Sequence, residues 1–166
     1  MGGGQVPWPS SLARGPYGWV QVATFVITGL LIVILAVAVR DQLPRRRMSR
    51  FAVVLLALLG VALILAAFRV DVPMLTGRNP NTWNGWVHGI AFLLIIAMGV
   101  LAPLTMALAV RGDPNWRPIA VVSLTASPLF VVFLLLPWGN ASFLMAVVTL
   151  FAWIAAVGVR LATYRS

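Results

Sequence analysis

Apolar residues fill five long stretches of the chain, about 19–39, 51–68, 86–110, 119–137 and 141–159, and neither arginine nor aspartate falls inside any of them. Each stretch is long enough to cross a hydrocarbon core about 30 Å thick, which takes roughly 20 residues of helix. Lipid offers the backbone no water to bond. Each stretch must therefore close its own hydrogen bonds, and is predicted to be an α-helix rather than a strand. The pattern predicts an all-α, polytopic transmembrane helical bundle, with residues 1–166 forming a single integral membrane domain.

Polar residues within the stretches are few, and their spacing narrows the picture. Gln21, Thr24 and Thr28 fall at i, i+3 and i+7 of the first stretch and share one helix face, with Gly29 one position round. Small and hydroxyl residues at such spacing let helices approach closely in lipid, so this face reads as a packing seam or as the lining of a pore. Ser123 and Ser127 form a small-xxx-small pair in the fourth stretch, just before Pro128, with the same two readings. The third stretch exceeds the bilayer requirement and is expected to tilt, or to bend at Pro103, which cannot donate a helical hydrogen bond. Pro16-Tyr17-Gly18 and Pro137-Trp138-Gly139 open the first and fifth stretches with similar interfacial turns, and the connection from Arg69 to Gly85 is the longest and most polar.

Charge gives the stretches a direction. All 12 basic residues are arginine and the three acids are Asp41, Asp71 and Asp113, for a net charge of +9. Counted by side of the membrane, the 40–50 and 111–118 connections and the C-terminal tail hold nine arginines, and the opposite side holds Arg14, Arg69 and Arg78. The positive-inside rule places the nine in the cytoplasm, so the chain is expected in the cell membrane with its C-terminus cytoplasmic and residues 1–18 extracytoplasmic. Trp8, Trp19, Trp83, Trp86 and Trp138 then fall on the outer side, where an aromatic belt belongs. Trp116 and Tyr164 mark the inner boundary, and Trp153 falls inside the last stretch as a packing residue. An outside N-terminus with no span before it leads to the expectation that the complete protein has six spans and both ends inside. The missing helix, or a second copy of the chain, would be the partner of the exposed seams. Arg45, Arg46 and Arg47 are placed to attract anionic lipid. Because the arginines sit where membrane topology puts them, no nucleic-acid partner is expected.

From the first stretch onward the residue order resembles a known family. The resembling segments are Gly15 to Gln21 (GPYGWVQ), Phe68 to Pro73 (FRVDVP) and Thr82 to Gly89 (TWNGWVHG). They look like the multi-pass membrane family catalogued as domain of unknown function 998. That family usually has six spans, the first preceding the position of Pro16, which agrees with the topology argument. Some members carry a second histidine at the position of Asn84, so the resemblance implies no paired-histidine site here. It implies no activity either.

Residue types exclude several chemistries. One histidine and no cysteine cannot build a bis-histidine haem, a multi-histidine zinc site or a redox dithiol, so neither cofactor nor metal is expected. Glutamate is absent and no acid lies within a span, which argues against a proton- or ion-coupled pump. No phosphate-binding glycine loop or nucleophile elbow occurs, and no catalytic residue is assigned. The remaining candidate is an outer-face polar site made by Asp71, His88, Arg69 and Arg78, where a carboxylate beside an imidazole could bind a polar head group or perform acid–base work. The leading expectation is a non-enzymatic bundle that binds lipid or partner helices. The alternatives are a small transporter of a neutral or lipid-like solute, and an enzyme acting on a lipid head group through Asp71 and His88.

Overall fold

The computed structural model describes residues 15–70 and 82–163. It contains five long helices: α1 (Gly18–Arg40), α2 (Arg47–Leu65), α3 (Trp83–Val110), α4 (Arg117–Leu135) and α5 (Asn140–Thr163), with one 3₁₀ turn at Pro114–Trp116 before α4. No strand occurs among the described residues. All five helices are long and apolar enough to cross a membrane. The 28 residues of α3 would span about 42 Å at 1.5 Å per residue, more than the hydrocarbon core requires.

Helix boundaries depart from the apolar stretches where polar residues extend a helix beyond hydrocarbon. Helix α2 begins at Arg47, before the apolar run, and ends at Leu65, well before Asp71. Helix α3 begins at Trp83 because the Thr82 hydroxyl accepts from the Gly85 N–H at 3.1 Å and caps it. The turn into α5 is stitched by Ser142, whose hydroxyl donates to the Leu136 carbonyl at 2.7 Å and accepts from the Trp138 N–H at 3.1 Å, while Gly139 takes a φ of +60°.

Consecutive helices pack on one another in chain order, and α1 barely touches α5. The tightest crossing joins α1 to α2. A Cβ added at Gly29 would lie 2.5 Å from the Gly60 carbonyl oxygen, and one added at Gly60 would lie 2.6 Å from that of Gly29. Only glycine lets the two backbones approach this closely, which is how small residues drive helix association where lipid removes the hydrophobic incentive. Helix α3 meets α4 similarly, with the Phe130 ring seated over Gly99. Helix α3 continues through Pro103, and close to the Gly99 carbonyl that this proline leaves without its helical donor, the Ser127 hydroxyl donates to the Val100 carbonyl at 3.1 Å. Elsewhere threonines look after themselves: Thr24, Thr105, Thr125, Thr149 and Thr163 each donate to a carbonyl four residues back.

The two ends of the bundle differ chemically. At one end Arg46 Nη1 donates to the Arg111 carbonyl at 3.3 Å, and the Arg160 guanidinium carbon lies 5.9 Å from the Trp116 ring centroid, so the 41–46 connection, the 111–117 connection and the end of α5 meet there. At the other end Trp19, Trp83, Trp86 and Trp138 are exposed. Trp116 lies at the arginine end, the boundary the sequence assigns it to, and is fully buried there because the 3₁₀ turn folds its ring inward under Arg160.

If the Gly29–Gly60 crossing holds α1 to the bundle, Gly60→Val must force the two helices apart. The expected cost is about 1–3 kcal/mol, read as a lowered thermal midpoint in detergent, whereas Val61→Ala on the exposed side of α2 should leave the midpoint within experimental scatter.

Candidate functional site

The polar face of α1 looks into a crevice of about 250 Å³ near the tryptophan-rich end. Gln21, Thr24 and Thr28, with Phe25, form one wall. The opposite wall is Phe143, Leu144, Val147, Leu150 and Phe151 of α5, and the back is made by Leu63 and Ala66 of α2 with His88, Phe92 and Ile95 of α3. Thr24 and Phe151 line the crevice and are also exposed, so it opens sideways through the seam where α1 and α5 barely meet. One turn towards the arginine end, the four helices carry Ile32, Leu59, Met98 and Trp153, all buried in the core. The crevice therefore has a closed floor.

Among the described residues His88 is the one titratable group in its wall, and it is buried in the bundle. Helix α3 starts at Trp83, one turn before the apolar run, and His88 in its second turn is buried on the side packed against α2. Its Nδ1 lies 3.0 Å from the Ala66 carbonyl and 2.8 Å from that of Phe68. Both partners are acceptors, so Nδ1 carries the proton and donates to them. These carbonyls belong to the end of α2, where a helix runs out of its own donors. His88 thus ties α2 to α3, and only Nε2 remains to meet a molecule in the crevice.

The other described residues singled out in the sequence are dispersed. Asp71 and Arg78 lie outside the described residues. Arg69 is exposed and lines a different hollow, against Gly18, Trp19 and Val22 at the start of α1. Ser123 and Ser127 are buried and are not part of the crevice. Ser123 Oγ accepts from Trp153 Nε1 at 2.8 Å, joining α4 to α5, and Ser127 joins α4 to α3. The polar residues of α1 and α4 therefore do not line one path. The sequence reading passed over the aromatic pair Phe92 and Phe143, whose ring centroids lie 5.6 Å apart. Both rings line the crevice and a neighbouring hollow beside Pro137, so the pair is the wall between the two. Residues on separate helices at unremarkable apolar positions give no sequence signal of such a meeting.

Replacing His88 separates its tether from its bulk. His88→Leu leaves the Ala66 and Phe68 carbonyls without a donor and is expected to cost about 1–3 kcal/mol. His88→Asn, which can keep a donor near the Nδ1 position, should recover most of the loss in thermal midpoint. An unchanged midpoint in His88→Leu would show that the tether does not hold α2 to α3.

No curated protein and no solved structure matches the chain. A family model described as "Protein of unknown function (DUF998)" matches residues 9–160, nearly the whole length. The chain, five apolar helices in one bundle, belongs to this family.

Proposed function

We propose that this protein is a non-enzymatic, lipid-binding bundle of the cell membrane that seats part of an acyl chain in the crevice between α1 and α5. The observation that carries the reading is the crevice itself: apolar on most of its wall, open sideways at the α1–α5 seam and closed at the floor. Ligand pockets for whole small molecules run from about 300 to 1,000 Å³, and this one, near 250 Å³, suits a segment of chain better than a complete solute. Gln21, Thr28 and His88 Nε2 supply hydrogen-bonding groups near the tryptophan-rich end, where a lipid head group would lie.

The arginine count supports an orientation with the arginine end in the cytoplasm, which puts the crevice in the outer leaflet. A solute transporter would need a path onward, and Ile32, Leu59, Met98 and Trp153 fill that position. A head-group enzyme would need a second group beside His88; no other titratable residue lines the crevice among the described residues, and the proton-bearing nitrogen of His88 is committed to Ala66 and Phe68.

Native mass spectrometry of the protein released from phosphatidylcholine–phosphatidylglycerol nanodiscs tests the reading. The expected result is one retained lipid per chain, lost when the crevice is filled by Val147→Trp and kept when the same bulk is added outside it by Val148→Trp. Equal retention in both variants would overturn it.

A further inference from the structure

A second hollow, of about 690 Å³, lies at the arginine end between the end of α1 and the first turns of α2. Its wall carries Arg40, Arg45, Arg46 and Arg50, against Asp41 as the single acid among the described residues. Like charges gathered in one concavity repel, and an anion inside it would relieve that repulsion. The start of α2 forms part of the same wall, and it lacks what helix starts normally have. The N-cap is Arg46, whose side chain cannot accept a hydrogen bond, and no acid lies in the first turn. The unsatisfied N–H groups and the positive end of the helix dipole are left for a ligand.

Ser49 provides an independent indication. It is 5 % exposed, belongs to the wall of this hollow, and its Oγ has no hydrogen-bond partner. A buried hydroxyl without a partner costs stability, which native structures rarely leave unexplained. Arg47, next in sequence to the cluster, is not part of the wall.

From this combination we infer that the hollow is a phosphate site, in which Arg45 and Arg50 grip the oxygens, the start of α2 caps them and the Ser49 hydroxyl donates the remaining hydrogen bond. Planar guanidinium groups bind phosphate in a forked, charge-assisted geometry suited to this task. The recognised group is a phosphate monoester or diester, carried by a lipid of the adjacent leaflet or free in solution. The site lies at the opposite end from the acyl-chain crevice and stands or falls separately from it.

Thermal unfolding of the full chain in neutral detergent decides the matter, with inorganic phosphate, dihexanoyl phosphatidylglycerol or dihexanoyl phosphatidylcholine added at constant ionic strength. Stabilisation by phosphatidylglycerol alone supports a lipid head group, and stabilisation by inorganic phosphate as well supports the free anion. In either case Ser49→Ala and Arg50→Gln should each weaken the apparent affinity about tenfold, the loss of one charge-assisted bond, while Arg47→Gln should change it less than about twofold. Ser49→Ala should fold normally, since its hydroxyl bonds nothing in the protein. No stabilisation by either anion, unchanged affinity in Ser49→Ala, or an equal loss in Arg47→Gln would overturn the inference.

Discussion

The approach of Gly29 to Gly60 is the contact on which the arrangement of this bundle depends. Two backbones meeting with no side chain between them set how α1 lies along α2, and α1 barely touches α5. In water an apolar helix would roll onto the rest of the core to bury its surface. In lipid that incentive is gone, and van der Waals fit decides where a helix rests. The glycine crossing is such a fit, and the open seam between α1 and α5 is its geometric consequence.

Polar groups follow the same economy of hydrocarbon. Threonine hydroxyls return to their own helix, Ser127 serves the part of α3 loosened by Pro103, Ser123 receives the Trp153 indole, and His88 bonds the carbonyls at the end of α2. The serine, tryptophan and histidine bonds fall between consecutive helices, so they hold α2 to α3, α3 to α4 and α4 to α5, and none of them crosses the α1–α5 seam. The polar groups of α1 that could have closed that seam, Gln21 and Thr28, line the crevice instead.

Much of this was legible in the sequence, and the limits have physical causes. Charge-free runs of spanning length yield the five helices, since in lipid nothing else satisfies the backbone. The i, i+3, i+7 spacing groups Gln21, Thr24 and Thr28 on one face, and all three line the crevice. What that face meets depends on how α1 packs against α2, and a glycine such as Gly60 in an aliphatic run does not announce its partner. Ser123 and Ser127 read as a packing or pore pair, and only the register of α4 against α3 and α5 reveals their bonding. Ser49 was hidden because the apolar run starts at Phe51 while the helix starts at Arg47, making a wall residue look like part of a basic connection. The end of the bundle at which Trp116 lies was legible, but its burial was not, because that depends on a short 3₁₀ turn folding the ring under Arg160.

The two concavities lie at opposite ends of the bundle, an apolar one open at the α1–α5 seam near the tryptophan end and a basic one at the arginine end. A seam that is open to lipid and floored against water is the central claim. The chain has no cysteine, so a single spin label at Thr28→Cys reports on that seam without background. In liposomes, paramagnetic relaxation by oxygen, which dissolves in lipid, should be strong and relaxation by a water-soluble nickel chelate weak. Strong relaxation by nickel would reveal an aqueous path, and weak relaxation by both would reveal a closed, packed seam; either result would contradict the account.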